Sequence, residues 1–274
     1  MDGNGKSIDG TGSGPGRGSG GGTGLGCETD IGEDLGLRPL TARSVVLSTL
    51  LGHHPPHLPV RSLVGAGELF GIAEGTIRVA LSRMVAAGDL EPREGGYALT
   101  ARLLERQARQ DDSLSPRTRR WRGQWEIAVV TAERRPAAER AALRQAMTRL
   151  RLAELREGTW LRPANLVRKH PPVVAGQCTL LTGAPDGDPR RLAEGLWDLD
   201  DWARRARALR SALERATEPA GEFTAGAAVL RHLLADPLLP GDLLPADWPG
   251  TQLRGSYEAF RNGMGRLIHA HAIR

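Results

Sequence analysis

Side chains able to bind phosphates and base edges recur between positions 74 and 93 of this 274-residue chain. Apolar residues at i, i+4, i+7 and i+8 predict an amphipathic helix over about Glu74 to Ala87, with a core stripe formed by Ile77, Leu81, Met84 and Val85. The opposite side of this helix carries Thr76, Arg78, Val79, Ser82 and Arg83. A guanidinium can donate two parallel hydrogen bonds to a phosphate or to a guanine edge, and a hydroxyl can bond to any base edge. This face could therefore contact a nucleic acid.

The elements around this helix are predicted from turn and capping residues. In chain order they are a helix from a Thr41 cap to about Leu51, a helix over about Val60 to Phe70 with Gly71 as its left-handed stop, the helix Glu74 to Ala87, two extended runs at Leu90-Glu91 and Tyr97-Ala98-Leu99 joined by the turn Pro92 to Gly96, and a helix from a Thr100 cap to about Gln110. Three helices followed by a hairpin is the order of a winged helix-turn-helix.

In that arrangement the third helix is the recognition helix, and the hairpin is the wing. The residues expected to face base edges and nearby phosphates are Thr76, Arg78 and Ser82. The residues expected to contact backbone phosphates are Arg43, Arg83 and, on the wing, Arg93. The alternative is a small helical domain with solvated arginines. Ala73 counts against the DNA-binding interpretation, because it stands where a Ser, Thr or Asp cap is expected.

Composition and charge narrow the class of protein. Only Lys6 and Lys169 among the 37 basic residues are lysine, a bias that genomic base composition alone can produce. All the positive excess lies in residues 113–196, which hold 16 basic and 8 acidic side chains. No apolar run approaches the roughly 20 residues of a membrane-spanning helix, and no signal sequence is present. Two cysteines, Cys27 and Cys178, do not support a disulfide framework, so a soluble cytoplasmic protein is predicted.

The chain divides at changes in composition. Residues 1–36 hold 14 of the 35 glycines and almost nothing apolar, which predicts a flexible tail. Its glycines do not form a phosphate-binding loop, because no strand precedes them and no helix follows. The predicted divisions are a tail over 1–38, a DNA-binding domain over 39–112, a central domain over 113–195 and a helical C-terminal domain over 196–274.

Three stretches together resemble one family. The string from Thr76 to Gly88 resembles the recognition helix of the PaaX-like family of phenylacetic acid degradation repressors. Trp121-Arg122-Gly123-Gln124-Trp125 resembles that family's Trp-x-Gly-x-Trp entry to its central domain. The fifteen residues from Asp236 to Gly250 are similar to its C-terminal signature, and Leu196-Trp197-Asp198-Leu199 extends the match, so that the resemblance covers about residues 40–274.

The resemblance implies a winged helix, then a ferredoxin-like domain similar to the Cas2 nuclease fold, then a helical C-terminal domain. The residue pattern agrees and predicts the α+β class. The central elements are predicted as a strand over Glu126 to Thr131, a helix over Ala137 to Leu152, strands over Gly158 to Arg162 and Gln177 to Thr182, and a turn over Pro185 to Pro189. The C-terminal helices are predicted from Asp200 or Asp201 through Leu213, over Ala225 to Leu234, and over Leu253 to His269, with a Pro-rich loop before the last.

Enzymatic chemistry is poorly supported by the sequence. A Cas2-like nuclease would need carboxylates at the end of the first central strand, where the chain has Val130-Thr131-Ala132-Glu133. Cys178 lies inside a predicted strand, where a free cysteine is usually a small buried apolar residue and not a nucleophile. The histidines at 53, 54 and 57 are separated by two prolines, so a metal site is not favoured. No catalytic residue, metal or cofactor is predicted.

The sequence therefore predicts a transcriptional regulator, most simply a repressor that binds a double-stranded DNA operator as a homodimer. The resemblance implies relief by an acyl-CoA effector such as phenylacetyl-CoA and control of a catabolic operon, but it assigns no pocket to residues. The basic excess in 113–196 has three possible roles: these side chains hold CoA phosphates, lie along flanking DNA or are solvated. The residues concerned are Arg117, Arg119, Arg120, Arg122, Arg168 and Lys169. A Cas2-like metal-dependent nuclease and a dimeric scaffold with a vestigial winged helix remain the alternatives.

Overall fold

The computed structural model describes residues 40–272, which form an N-terminal, a central and a C-terminal unit. The predicted tail over 1–38 and Cys27 lie outside the described residues. In the N-terminal unit the elements are α1 (Ala42–Leu51), β1 (His57–Pro59), α2 (Val60–Leu69), α3 (Glu74–Ala86), β2 (Leu90–Arg93), β3 (Gly96–Leu99) and α4 (Ala101–Leu114). The predicted helices and hairpin are confirmed. The short strand β1 was not predicted, and it pairs with β3 to complete an antiparallel sheet of order β1-β3-β2.

Helix α1 begins after Thr41, the predicted cap, which forms a capping box with Ser44. The Thr41 hydroxyl accepts a hydrogen bond from the Ser44 amide at 3.1 Å, and the Ser44 hydroxyl accepts one from the Thr41 amide at 2.8 Å. Thr100 occupies the N-cap position of α4 but does not cap it. Its hydroxyl instead donates to the Gly88 and Asp89 carbonyls, which ties α4 to the end of α3.

Glycines allow close approach inside this unit. A Cβ at Gly67 of α2 would lie 2.4 Å from Cγ1 of Ile77, so α2 and α3 can pack at this distance only because the side chain is missing. Gly71 adopts a φ of +70° at the predicted stop of α2. The core between the helices is formed by Val46, Leu50, Leu63, Ile77, Leu81, Met84, Leu90, Leu99 and Leu103, with smaller contributions from their neighbours.

The central unit is a four-stranded antiparallel sheet with two helices. Its elements are β4 (Trp125–Val130), α5 (Ala137–Arg149), β5 (Ala153–Arg156), β6 (Thr159–Pro163), α6 (Pro172–Gln177) and β7 (Cys178–Gly183). The strands lie in the order β5-β6-β4-β7, and the succession strand, helix, strand, strand, helix, strand is that of a ferredoxin-like unit. Strand β5 and helix α6 were not predicted, because both are short and β5 lies at the edge of the sheet.

The C-terminal unit contains α7 (Pro189–Leu196), α8 (Leu199–Arg215), α9 (Pro219–Leu234), a 3₁₀ turn (Gly241–Leu243) and α10 (Gly250–Ala272). Helix α7 begins where the sequence indicated only a turn. Trp202 of α8 stacks on Trp248 and on His232, with ring centroids 4.4 and 4.5 Å apart. Helix α10 also packs along α2, and Phe70 meets Phe223 of α9 at 4.7 Å, so the C-terminal unit contacts the N-terminal unit directly.

Candidate nucleic-acid interface

Helix α3 has one buried and one exposed side, as the pattern predicts. Ile77, Leu81 and Met84 are almost completely buried against the N-terminal core. The side chains that the sequence assigned to DNA contact are exposed on the other side, namely Thr76, Arg78, Ser82 and Arg83. Val79, also on this side, is 51% exposed.

The polar groups of this face interact with one another. Arg78 forms an ion pair with Glu74 one turn earlier, with Nη2 2.6 Å from Oε1, and both side chains are at least half exposed. The Ser82 hydroxyl donates to the Arg78 carbonyl at 3.2 Å. The Arg83 side chain has no hydrogen bond or ion pair within residues 40–272. Arg83 is thus available to an anionic ligand. Arg78 becomes available once its exposed ion pair with Glu74 is broken.

The start of α3 lacks a side-chain cap, as expected from Ala73. The hairpin β2–β3 lies after this helix, and its turn contains Gly95 with a φ of +72°. Arg93 at the end of β2 is 67% exposed and lies 3.5 Å from Glu91. A side chain so placed can contact a phosphate without disturbing the core.

Arg43 is held differently from the other candidates. Together with Arg102 of α4 it forms an ion pair with Asp89, a carboxylate that is 1% exposed directly after α3. Arg43 joins the N-terminus of α1 to the end of α3, and about half of its side chain remains exposed. Asp89 and Arg102 were missed by sequence reasoning, because the sequence does not show that Asp89 is buried.

A further arginine, Arg106, lies one turn beyond Arg102 on α4. Burial lowers its pKa, and the nearby guanidinium groups of Arg109, Arg43 and Arg102 lower it further, while Asp89 acts in the opposite direction. Arg106 has no ion-pair partner in the described part of the chain. Four guanidinium groups of α1 and α4 therefore lie near one another, with the Asp89 carboxylate among them.

The basic residues of the central unit do not act as one group. Arg168 is buried against Glu126 at 3.0 Å and donates to the Leu150 carbonyl at 2.7 Å, and burial lowers its pKa. Arg119 donates to the Ala164 carbonyl at 2.9 Å through Nε. Arg168 is thus held by Glu126 and by the Leu150 carbonyl, and both contacts lie within the central unit. The exposed residues of that group are Arg117, Arg119, Arg120, Arg122 and Lys169.

Buried arginines instead join the three units. Asp236, before the Pro-rich loop, is 1% exposed and accepts a hydrogen bond from Arg254 of α10 at 2.6 Å and from the Leu238 amide at 2.8 Å. Arg151 of the central unit donates to the Asp236 carbonyl and, at 2.7 Å, to the Ser113 hydroxyl of α4. Burial lowers the pKa of Arg151 to about 10.

Arg162 of β6 belongs to the same junction. It is completely buried and donates to Asn165 Oδ1 at 2.8 Å and to the Leu238 carbonyl at 3.1 Å. Burial lowers its pKa to about 9. The string Asp236 to Leu238, which carried part of the family resemblance, therefore supplies the acceptors that connect α4, the central sheet and α10.

The residues considered for enzymatic chemistry are not assembled into a site in the described structure. Between residues 40 and 272, no group of three or more His, Cys, Asp or Glu side chains is arranged to hold a metal ion. Cys178 is buried at the start of β7, and burial raises the pKa of its thiol. His54 pairs with Asp111 at 3.0 Å, and His57 lies in β1.

The fold defines an α+β protein of three units, in which an arginine-bearing helix is exposed at one end and a ferredoxin-like sheet lies in the middle. Comparison with known families matches residues 41–103 to the PaaX-like protein family, residues 118–176 to the PaaX protein central Cas2-like domain, and residues 197–273 to the PaaX-like protein C-terminal domain. The chain belongs to the PaaX family, whose members are known as transcriptional regulators rather than enzymes. The predicted resemblance is confirmed.

A solved structure is similar to this chain over most of its length. The uncharacterized protein Rv0674 from Mycobacterium tuberculosis is 47% identical, with a TM-score of 0.74, and the match covers 84% of this chain and 98% of that one. No curated protein matches the chain. No helix among the described residues is long and apolar enough to cross a membrane.

Proposed function

We propose that this chain is a DNA-binding transcriptional repressor whose N-terminal unit is a winged helix-turn-helix. The order α1, β1, α2, α3, β2, β3 supports this, because α2 and α3 are joined by a short turn at Gly71 and the hairpin follows α3 directly. Helix α3 would enter the major groove, and the β2–β3 turn with Arg93 would contact the adjacent backbone.

The observation that carries the proposal is the two-sided character of α3. Its inner side is anchored by Ile77, Leu81 and Met84, which are at most 2% exposed, so its outer side is held at a defined position. That outer side presents Arg78 and Arg83, whose guanidinium groups suit guanine edges and phosphates.

The ion pair between Arg78 and Glu74 does not prevent DNA contact. An exposed i,i+4 pair contributes about 0–1 kcal/mol, whereas a bidentate contact from arginine to a base contributes about 1–3 kcal/mol of discrimination. The base contact is the stronger of the two, so Arg78 would exchange partners on binding. Glu74 would then repel phosphates of incorrectly docked DNA, which favours specific over non-specific binding.

The remaining parts of the proposal follow from the family. The central and C-terminal units would form a homodimer and respond to an acyl-CoA effector such as phenylacetyl-CoA, which would release a double-stranded operator controlling a catabolic operon for phenylacetate or a related acid. A homodimer would bind two half-sites about one helical turn apart. The site of action would be the cytoplasm.

The test is operator binding by Arg78→Ala, measured by fluorescence anisotropy on DNA from upstream of the gene. We expect R78A to lose about 1–3 kcal/mol on the specific site and less on non-specific DNA. The matched control is Arg210→Ala, which removes one charge and a comparable exposed i,i+4 pair with Glu214 on α8. Arg93→Ala should weaken both kinds of DNA about equally. Equal operator affinity for R78A and R210A would show that α3 is not the reading helix.

The same DNA separates the alternatives. Addition of Mg²⁺ to the wild-type complex, followed by a denaturing gel, tests the Cas2-like nuclease. We expect a shifted band and intact strands. Cleaved DNA would indicate the nuclease, and neither a shift nor cleavage would indicate the dimeric scaffold.

A further inference from the structure

Val79 lies at the centre of the outward side of α3. An α-helix turns by about 100° per residue, and Ile77 and Leu81, two positions before and two positions after Val79, are almost completely buried. Val79 therefore points about 160° away from each of these core residues. Its side chain is the large apolar group on this side of the helix, and the residue is 51% exposed.

Short side chains leave Val79 accessible to a flat surface. The residues one turn away from it along α3 are Gly75, Thr76, Ser82 and Arg83. Gly75 and Ser82 project less far from the helix axis than valine does. A surface that meets the outward side of α3 can therefore come into contact with the two methyl groups of Val79.

Exposed guanidinium groups flank Val79. Arg78 precedes it in the sequence, and Arg83 lies one turn further along the helix. The carboxylate on this face is that of Glu74, which pairs with Arg78. An apolar protein surface laid over Val79 would take these cations out of water without a partner, which is unfavourable. DNA instead offers phosphates and guanine edges to the arginines, so the surroundings of Val79 fit DNA better.

The apolar group that DNA presents in its major groove is the C5-methyl of thymine. Cytosine, the other pyrimidine, has no methyl group there and presents an amino donor instead. A valine in a helix is held almost entirely in one side-chain rotamer. The methyl groups of Val79 are therefore fixed in position before any contact, and little conformational entropy is lost when they pack against a base.

We propose that Val79 determines specificity at one position of each half-site by packing against the C5-methyl of a thymine. This inference rests on the proposed function, in which α3 enters the major groove. Arg78 and Val79 are consecutive residues. The rise of a helix is about 1.5 Å per residue, and base pairs stack about 3.4 Å apart, so the thymine lies within about two base pairs of the one that Arg78 contacts.

The first experiment selects bound duplexes from a random-sequence pool with the full-length protein. Val79→Ala removes the proposed contact without changing a charge. The matched control is Leu104→Ala, which shortens another exposed apolar side chain of the same unit on α4. We expect the wild type and L104A to select the same half-site with thymine at one position. V79A should select that half-site without a preference for thymine at that position.

The second experiment replaces the selected thymine by uracil, which removes the C5-methyl and keeps the base pair. We expect the wild type and L104A to bind the uracil duplex about fourfold more weakly, the ratio for burial of one methyl-sized apolar group. V79A should bind the thymine and uracil duplexes equally, because the group that contacts the methyl is gone. Thermal unfolding checks that V79A is folded, and Val79→Ser provides a second truncation if it is not.

The outcomes separate this role of Val79 from the proposed function. If the wild type selects no sequence, the proposed function and this inference are both overturned. Three results overturn the role of Val79 alone: a selected half-site without thymine, equal affinity of the wild type for both duplexes, or the same loss on uracil in V79A. Size-exclusion chromatography without DNA tests a protein contact instead. A changed elution of V79A, but not of L104A, would place Val79 between copies of the chain and overturn the thymine contact.

Discussion

Replacement of Asp236 by Asn should destabilise the whole protein, because this residue lies where all three units meet and its carboxylate holds Arg254, which also donates to the Ser113 carbonyl of α4. Asp236 is 1% exposed, it accepts from Arg254 at 2.6 Å and from the Leu238 amide at 2.8 Å, and its backbone carbonyl accepts from Arg151. An Asn side chain can keep the bond from Leu238, but its amide nitrogen would then face the guanidinium of Arg254, donor against donor. The buried arginines would also lose their shared counter-charge.

The size of this effect follows from the geometry. Removal of one partner from a buried ion pair costs about 3–5 kcal/mol. Arg254 keeps hydrogen bonds to the carbonyls of Ser113 and Gly250, so we expect the lower end, about 3 kcal/mol. For a chain of this size, each kcal/mol lowers the melting temperature by about 2–4 °C, which gives a decrease of about 6–12 °C for D236N.

The assay is thermal unfolding followed by circular dichroism and calorimetry, with Asp247→Asn as the matched control. Asp247 lies in the same Pro-rich segment and pairs with Arg207, but it is 78% exposed, so its loss should change stability by less than about 1 kcal/mol. If the melting temperatures of D236N and D247N agree within experimental error, the Asp236 carboxylate does not stabilise the junction of the three units.

Two further predictions concern the C-terminal unit. Burial lowers the pKa of His232 from its usual value near 6.5, so the unfolded chain takes up the proton first and stability is lost as pH falls below about 6.5. Between about pH 7.5 and pH 5.5, the melting temperature of His232→Gln should therefore fall less than that of the wild type. Equal decreases would show that His232 is not the source of the pH dependence. Gly226→Ala should cost about 1–3 kcal/mol in urea unfolding, because its Cβ would lie 2.1 Å from Cε1 of Phe260. A Cβ at Gly255 on α10 would have no atom within 4 Å, so Gly255→Ala should instead stabilise the protein by about 0.5–1 kcal/mol. A loss of stability from G255A as large as that from G226A would contradict the packing explanation.

Local patterns predicted much of this fold because the relevant interactions are close in sequence. The spacing of Ile77, Leu81 and Met84 defines the buried side of α3 whatever it packs against, and Thr41 caps α1 through a residue three positions away. Strand β1 could not be predicted in the same way. Its three residues form a strand only because β3 lies beside it, and Gly96 permits the contact with Leu58.

For the candidate site, helical periodicity was enough to identify the outward-facing side chains of α3, since it assigns Arg78 and Arg83 to one side and the apolar stripe to the other. Charge composition could not determine which arginines are free. Arg168 and Lys169 are adjacent in sequence, yet Arg168 is buried against Glu126 and Lys169 is exposed. Only the tertiary structure brought Arg151 and Arg254 to Asp236. These two arginines lie far apart along the chain, and their interactions depend on burial, which is a property of the packed units and not of any local segment.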